Sequence, residues 1–212
     1  MRAPSLKRLR RCDALYRHDC AWAAFGASLA GMDEAGRGPL LGSVVAACVI
    51  MPKSPVIAWI DDSKKLTPAR REQVLEDILL HALAIGVGEA SAAEIDEINI
   101  LNATRLAMER AAASLPATVC LVDAMENLPL AFPTVSIIHG DALSYSIAAA
   151  SIVAKVTRDR QIVRLAELYP QYGLEQNKGY GTPEHIGRIM QFGACPEHRR
   201  SFIGKYIGET VR

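Results

Sequence analysis

The sequence lacks long apolar runs. Among its 212 residues the longest purely apolar run covers positions 44–51, whereas a helix that crosses a bilayer needs about 20 apolar residues. No long apolar stretch follows the basic N-terminus, so the sequence predicts neither a signal peptide nor a membrane anchor. These absences favour a cytoplasmic protein with no membrane partner. The alternative left open for the basic N-terminus is an arginine-rich organelle presequence.

Paired cysteines and the common phosphate-binding motif are also missing. The five cysteines are scattered without a C-x-x-C pair, which predicts reduced thiols and argues against a zinc site. The motif GxxxxGK[ST], typical of P-loop nucleotidases and NTPases, does not occur. That class of phosphate chemistry is therefore disfavoured.

The charge, by contrast, is unevenly distributed. Half of the residues are apolar and 22% are charged, as in an ordinary globular protein of one domain, and the net charge is +1. Residues 1–28 carry six basic and two acidic side chains, residues 29–154 eight and fifteen, and residues 155–212 ten and six. An acidic centre between basic flanks suits a metal site within a polyanion-binding surface, although charge also fluctuates along unrelated sequences.

The hydrophobic pattern predicts alternating strands and helices. Short apolar runs read as strands at 29–33, 44–51, 83–90, 118–122 and 134–138. Thr67 and Pro68 are suited to open a helix as N-cap and first helical residue. Apolar residues at helical spacing from Ile100 to Leu115 predict a second helix, and a third is expected from Asp141 to about Leu168.

This order of elements predicts an α/β fold with a mixed five-stranded sheet. Short connections favour antiparallel pairing of the first three strands, and helical crossovers favour parallel pairing of the later ones. We divide the chain into a basic N-terminal arm (1–28), a catalytic domain (29–170) and a small C-terminal helical cap (171–212). The arm is expected to be loose and to lead into a short helix. Nothing in the sequence requires more than a monomer.

Four acidic residues fall at the ends of predicted elements. Asp33 and Glu34 follow the first strand, Asp123 follows the fourth, and Asp141 precedes the long helix. Each has an ordinary explanation: a solvated strand end for the first two, a turn residue for Asp123, and a helix N-cap for Asp141. Together they are expected at one edge of the sheet, because the ends of neighbouring strands converge there.

Such a group predicts a metal site. Crowded carboxylates repel one another unless cations neutralise them, and Mg²⁺ or Mn²⁺ with oxygen ligands suits phosphate chemistry. Two ions about 4 Å apart can activate a water and stabilise the leaving oxygen of an in-line displacement. Because adjacent strand residues point to opposite faces, we expect a turn at Gly36 to bring Glu34 back to the side of Asp33.

The motif that contains the first two acids adds a ligand-binding element, Asp33-Glu34-Ala35-Gly36-Arg37-Gly38. Its two glycines let the backbone approach a ligand closely, and the arginine between them suits a phosphate or a sugar. Together with the acids, the motif predicts metal-dependent chemistry on a phosphodiester.

The chain resembles the ribonuclease HII family, prokaryotic enzymes that cut RNA within RNA–DNA hybrids. The resemblance runs from about residue 29 to residue 202, and its sequence blocks follow the family's order. They are residues 31–40 (GMDEAGRGPL), 62–66 (DSKKL), 122–123 (VD), 140–141 (GD), 146–156 (SIAAASIVAKV), 169–173 (YPQYG), 177–182 (NKGYGT) and 198–202 (HRRSF).

The resemblance implies a ribonuclease H-like fold with a C-terminal helical appendage. It implies an endoribonuclease that hydrolyses the RNA strand of RNA–DNA hybrids and cuts 5′ of ribonucleotides embedded in duplex DNA, leaving a 3′-hydroxyl and a 5′-phosphate. The cofactor would be Mn²⁺ or Mg²⁺, and the metal-binding and catalytic residues would be Asp33, Glu34, Asp123 and Asp141.

The resemblance also implies substrate contacts. Gly36, Arg37 and Gly38 would read the ribonucleotide, chiefly through the 2′-hydroxyl that separates RNA from DNA. The family's tyrosine, here Tyr180, would stack on the adjacent deoxyribose, and the pair Lys64 and Lys65 would contact phosphates. The ordinary explanations are a half-buried core tyrosine and a solvated lysine pair.

Two positions depart from the family's pattern. Leu143 stands where a basic residue is common. Residues 124–127 (AMEN) stand where the family often has a Gly or Ala followed by a polar or basic stretch. Some phosphate contacts are therefore in doubt, but every carboxylate is present. Three histidines are candidate proton relays, each expected at the surface: His139, His185 and His198.

Two related interpretations fit less well. Ribonuclease HIII carries an additional N-terminal substrate-binding domain, for which the 28 residues before the first strand leave too little room. A catalytically silent hybrid-binding module is expected to lose at least one carboxylate.

Overall fold

A mixed five-stranded sheet forms the centre of the protein. The computed structural model describes residues 4–22, 28–54 and 56–208. The strands are β1 (Leu29–Ala35), β2 (Val44–Ile50), β3 (Ala84–Ala90), β4 (Val119–Asp123) and β5 (Thr134–Ile137), in the spatial order β3-β2-β1-β4-β5. β2 pairs antiparallel with β1 and β3, whereas β4 pairs parallel with β1 and β5. The predicted mixed sheet is confirmed.

Helices cover both faces of the sheet. They are α1 (Leu6–Cys20), α2 (Pro68–His81), α3 (Ala92–Ala112), α4 (Tyr145–Leu168), α5 (Leu174–Asn177), α6 (Pro183–Phe192) and α7 (Arg200–Ile207). α3 packs on one face of the sheet and α4 on the other, and α1 and α2 pack against α4 in the same layer of the core. Within the described ranges, no helix is long and apolar enough to cross a membrane.

The alternation of side chains in β1 and β2 divides the core into two layers. Met32 and Cys48 are fully buried against α3, whereas Ala47 and Val49 are buried on the side of α4. Full burial of a large apolar side chain contributes about 1.5–3 kcal/mol. The two layers together hold the carboxyl end of β1 rigidly in the middle of the sheet.

α4 approaches β1 closely at Gly31. A Cβ atom at this position would lie 2.0 Å from the carbonyl carbon of Ser146 and 2.3 Å from the backbone nitrogen of Ile147. Only glycine leaves room for the helix backbone here. The first turn of α4 is therefore pressed directly onto the strand that carries Asp33.

The N-terminal region differs from the expected loose arm. α1 is a 15-residue helix capped by the Ser5 side chain, and it buries Cys12 and Leu15 in the core beneath α4. The expected helix in this region is therefore present, but it already begins at Leu6, so residues 6–20 are not a loose arm. The boundaries between the three proposed regions stay a prediction.

The C-terminal helices pack around the loop that follows β1. Leu40 and Leu41 are buried among apolar residues of α4, α6 and α7. Three backbone hydrogen bonds join the two segments: Leu40 N–H to Gly179 O, Gly42 N–H to Glu197 O, and Arg199 N–H to Leu40 O. The conformation of the loop at 36–42 is therefore fixed by hydrogen bonds to the C-terminal region.

Candidate active site

Three of the predicted acids meet at the carboxyl edge of the sheet. Asp33 lies in β1, Asp123 ends β4, and Asp141 lies in a 3₁₀ turn (Gly140–Ala142) that follows β5. The parallel pairing of β1 with β4 sets the first two side by side. One carboxylate oxygen from each of the three residues lies within 4.8 Å of the others.

The turn that carries Asp141 is held from the side of β4. The Gly140 N–H donates to Asp123 Oδ1 at 2.7 Å, and His139 before it adopts a left-handed conformation (φ 58°). The first turn of α4 is capped by Ser144, whose Oγ accepts from the Ile147 N–H. The ordinary explanation of Asp141 as the N-cap is therefore wrong, and its carboxylate is available to the site.

Glu34 lies beside this group but outside it. β1 continues through Ala35 before the chain turns at Gly36 (φ 98°), and Glu34 is not among the three residues whose carboxylate oxygens lie within 4.8 Å of one another. The expected return of Glu34 to the side of Asp33 stays a prediction, and the charge of Glu34 raises the pKa of Asp33. Its Oε1 accepts from Arg37 Nη1 at 3.3 Å, whereas its buried Oε2 has no hydrogen-bond partner in the structure.

The electrostatics of these acids favour a bound cation. Burial raises the pKa of Asp33 well above its ordinary value, and the charges of Glu34 and Asp123 raise it further. Burial likewise raises the pKa of Glu34 against the lowering effect of Arg37, and that of Asp123 against the Gly140 N–H. A crowded set of hard oxygen donors with this much uncompensated charge fits a divalent cation such as Mg²⁺ or Mn²⁺.

The two lysines predicted to contact phosphates pair with different acids. Lys64 Nζ lies 3.1 Å from Asp141 Oδ2. Burial lowers the pKa of Lys64, but the hydrogen bond and charge of Asp141, together with the charges of Asp62 and Asp33, raise it overall. Lys65 Nζ instead lies 3.5 Å from Asp62 Oδ2. The structure therefore brings Lys64, but not Lys65, into contact with the acidic group.

The glycine-flanked loop is built around a buried arginine. The Arg199 guanidinium is inaccessible to solvent and donates four hydrogen bonds of 2.6–2.9 Å to backbone carbonyls of the loop, those of Gly36, Arg37, Pro39 and Gly42. Burial and the charge of Arg158 lower the pKa of Arg199 to about 9, which leaves it charged at neutral pH. Sequence reasoning noted its block, residues 198–202, but gave this residue no role.

A second buried arginine closes the same loop from α4. Arg158 donates to the carbonyls of Leu41 at 3.2 Å and Lys178 at 3.3 Å. A Cβ atom at Gly36 would lie 2.2 Å from Arg158 Nε, so glycine is required there both by this contact and by its positive φ. In a trans peptide the carbonyl and the following N–H point in opposite directions. The carbonyls of Gly36 and Arg37 face Arg199, and the N–H groups of Arg37 and Gly38 therefore point away from it.

Tyr180 lies next to Gly38. Its ring atom Cε1 would be 3.6 Å from a Cβ at Gly38, and 46% of the residue is exposed. A residue with about half of its surface exposed fits both a stacking role and the half-buried core tyrosine, so the stacking role stays a prediction. Its carbonyl lies 2.9 Å from His185 Nδ1, and His185 Nε2 lies 3.2 Å from His198 Nε2.

Two of the three histidines are therefore structural. His185 and His198 are buried, and burial lowers the pKa of both, with His198 at about 4. The expected surface position is wrong for these two residues. Neither departure from the family pattern disturbs the acids, because Leu143 is exposed and Met125 is buried in the core on the α3 side.

Comparisons with known proteins agree with this geometry. The family model described as ribonuclease HII matches residues 30–205. Ribonuclease HII of Geobacillus thermodenitrificans is 54% identical over 196 residues, covering 91% of this chain and 75% of the relative. That of Paracidovorax citrulli is 54% identical over 188 residues, covering 86% and 78%.

Solved structures give the same result for the fold. The crystal structure of the ribonuclease H2 from Pyrococcus horikoshii superposes with a TM-score of 0.73 at 27% identity, covering 85% of this chain and 97% of that one. The sequence matches, the fold and the acidic group at the sheet edge lead to one conclusion. The chain belongs to the ribonuclease HII family, metal-dependent endoribonucleases that act on RNA–DNA hybrids.

Proposed function

We propose that this chain cuts on the 5′ side of ribonucleotides embedded in duplex DNA, as well as the RNA strand of hybrids, and leaves a 3′-hydroxyl and a 5′-phosphate. The observation that carries the proposal is the group of three carboxylate oxygens, from Asp33, Asp123 and Asp141, within 4.8 Å of one another. They would hold the divalent cations, with Glu34 completing the set from the neighbouring position. When bound, such ions supply the activation of water and the neutralisation of the leaving oxygen.

The protein's own groups orient the reacting strand around this site. Asp33 and Asp123 are fixed by adjacent strands, and the 3₁₀ turn fixes Asp141, so the carboxylates need no rearrangement before they act. The Lys64 ammonium, 3.1 Å from Asp141 and largely exposed, provides a positive charge for the phosphate nearest the acids. Lys65 would contact a phosphate further along the strand.

Recognition of the ribonucleotide is assigned to the loop at 36–38. The outward N–H groups of Arg37 and Gly38 can donate to a 2′-hydroxyl without an intervening side chain. The Tyr180 ring lies beside Gly38, which suits stacking on the next sugar. A ring pressed against that sugar leaves little space for a second 2′-hydroxyl, so the RNA-to-DNA junction becomes the recognised feature.

The remaining assignments concern the cofactor, the oligomeric state, the location in the cell and the substrates. We propose Mn²⁺ or Mg²⁺ as the cofactor, because carboxylate oxygens and phosphate substrates suit both ions. We also propose that the protein acts as a monomer in the cytoplasm on RNA–DNA hybrids and on duplex DNA that contains ribonucleotides.

A single assay tests the proposal. The full chain is incubated with a DNA duplex containing one ribonucleotide, with Mn²⁺, with Mg²⁺ or with a chelator, and an all-DNA duplex serves as the control substrate. We expect metal-dependent cutting only of the first duplex, 5′ of the ribonucleotide, with 3′-hydroxyl and 5′-phosphate ends. A shifted but uncut duplex would contradict the proposal and favour a hybrid-binding module.

A further inference from the structure

The N-terminal helix α1 contacts the site although it precedes the matched family segment, residues 30–205. Its Cys12 Sγ lies 3.0 Å from the Ile57 carbonyl and 3.3 Å from that of Ile60, so the helix is seated on the segment leading to Lys64. The chemistry proposed above uses no residue of this helix. Its polar contacts nevertheless converge on the turn that carries Asp141.

The first of these contacts is made by Arg11. Its Nη2 donates to the Ala142 carbonyl at 2.7 Å, and its Nε and Nη2 donate to Asp61 Oδ1 at 3.2 Å. Ala142 directly follows Asp141, and Asp61 begins the segment that ends at Lys64. One guanidinium thus ties together the two segments whose side chains meet in the Lys64–Asp141 ion pair.

The second contact is made by Asp19 at the other end of the helix. Its buried Oδ2 accepts from the Ser146 N–H at 2.7 Å, in the first turn of α4. A carboxylate near the C-terminus of α1 is disfavoured by the dipole of its own helix, and the N-terminus of α4 offsets this cost. The position of Asp19 is therefore explained by α4 and not by α1.

From these contacts we infer that α1 is a positioning element of the metal site, acting through Arg11 on the backbone beside Asp141. Arg11 and Asp19 hold positions 142 and 146, so the short segment between the acidic turn and α4 is fixed at both ends. On the other side of Asp141, the Gly140 N–H is already bound to Asp123. The inference rests on the proposed role of Asp141 as a metal ligand, and it assigns to α1 the orientation of that ligand.

The test compares three substitutions on the same helix in the full chain. Arg11→Met removes the bond to Ala142. Arg8→Met removes an ion pair with Asp61 but touches no bond to Ala142, and Arg17→Met removes only an exposed pair with Asp13. Mn²⁺ binding is measured by calorimetry, metal-free thermal unfolding by circular dichroism, and cleavage as a function of Mn²⁺ concentration.

The expected result is specific to Arg11. Loss of an outer hydrogen bond that orients a ligand weakens metal binding by about 10-fold or more, and we expect this for Arg11→Met against less than about twofold for the other two variants. The Mn²⁺ concentration for half-maximal cleavage should rise by the same factor, with cleavage recovering at saturating metal. Should Arg11→Met fail to fold, Arg11→Gln, which is too short to span both partners, takes its place.

Two outcomes would overturn the inference. The first is that Arg11→Met binds Mn²⁺ as tightly as Arg17→Met does. The second is that Arg8→Met loses as much Mn²⁺ affinity as Arg11→Met, which would trace the effect to Asp61 and general stability. Failure of the proposed function looks different: the unsubstituted protein would then bind no Mn²⁺, or would bind it equally well with Asp33→Asn.

Discussion

The contact between Gly31 and α4 gives the sharpest test of how the fold builds the site. An alanine at this position would place its Cβ 2.0 Å from the Ser146 carbonyl carbon, where an ordinary contact is 3.4–4 Å. Both neighbouring atoms belong to the helix backbone, so no side-chain rotation can relieve the overlap. The first turn of α4 must move away from β1, by about 1 Å or more.

The displacement has two measurable consequences. Overpacking of this kind costs about 1–3 kcal/mol, which for a chain of this length lowers the melting temperature by about 2–4 °C per kcal/mol. Because α4 begins four residues after Asp141, the same movement shifts the acidic turn relative to Asp33. A misplacement of about 1 Å in a catalytic arrangement can cost about 100-fold in rate, and we expect a loss of that order.

Gly187→Ala is the matched control. Gly187 lies in α6, and a Cβ there would meet nothing within 4 Å, so this variant should be at least as stable as the unsubstituted protein. Melting temperature and cleavage of the single-ribonucleotide duplex at saturating Mn²⁺ are measured for both. If Gly31→Ala melts and cleaves like Gly187→Ala, the close approach of α4 does not position Asp141.

Three further substitutions test the site residue by residue. Since burial, Glu34 and Asp123 raise the pKa of Asp33, the folded metal-free protein holds this proton more tightly than the unfolded chain and loses stability as pH rises above about 4. Asp33→Asn should therefore abolish cleavage in the duplex assay yet raise the metal-free melting temperature near pH 7.5 by about 2–6 °C; unchanged cleavage would defeat the metal-ligand assignment. Arg199→Lys replaces the planar guanidinium, which donates to four backbone carbonyls, with a single ammonium. Urea unfolding should show that the free energy of unfolding falls by about 2–5 kcal/mol. A fall of less than about 1 kcal/mol would show that the loop at 36–42 is stable without these hydrogen bonds. Tyr180→Ala should reduce the preference for the RNA-to-DNA junction over a continuous hybrid while changing stability by less than about 1 kcal/mol, and a larger destabilisation would indicate a core residue instead.

The sheet and its acids could be predicted because both depend on local sequence patterns. Apolar runs bounded by breakers identified all five strands to within a residue or two. Acids at the ends of strands were expected to converge, and Asp33, Asp123 and Asp141 do so. The helix N-cap at Thr67 was predicted correctly for the same reason, since its partner lies three residues away.

The boundaries of α3 were predicted less well, although a signal was present. α3 is broken at Asn99, whose backbone is not helical, so the predicted start at Ile100 is correct for the second part of the helix. The first part, which begins at Ala92 with Ser91 and Glu94 forming a capping box, was not predicted. The apolar periodicity is interrupted at Asn99, which has a φ of 65° and whose side chain accepts from the N–H groups of Leu101 and Asn102. A Ser-x-x-Glu pattern reads as a helix start, and it was the usable evidence here.

The burial of Arg158 and Arg199 could not be predicted from the sequence, for a different reason. Arginine is mostly exposed in proteins, so neither Arg158 nor Arg199 carries a pattern that separates it from a solvated residue. Each becomes buried because carbonyls from a loop more than a hundred residues away supply its acceptors.

The uneven charge of the sequence acquires a structural explanation from these contacts. Part of the basic charge in the two flanks is directed inward: Arg11 bonds to Asp61 and Ala142, while Arg158 and Arg199 bond to the loop that follows β1. A polyanion-binding surface would use the positive charge of these guanidiniums. Here they instead form hydrogen bonds to backbone carbonyls and to one carboxylate of the central segment. The flanks therefore hold the two loops on either side of the acidic group. Apart from the ion pair between Lys64 and Asp141, the group's own charge is left for the cations that the reaction requires.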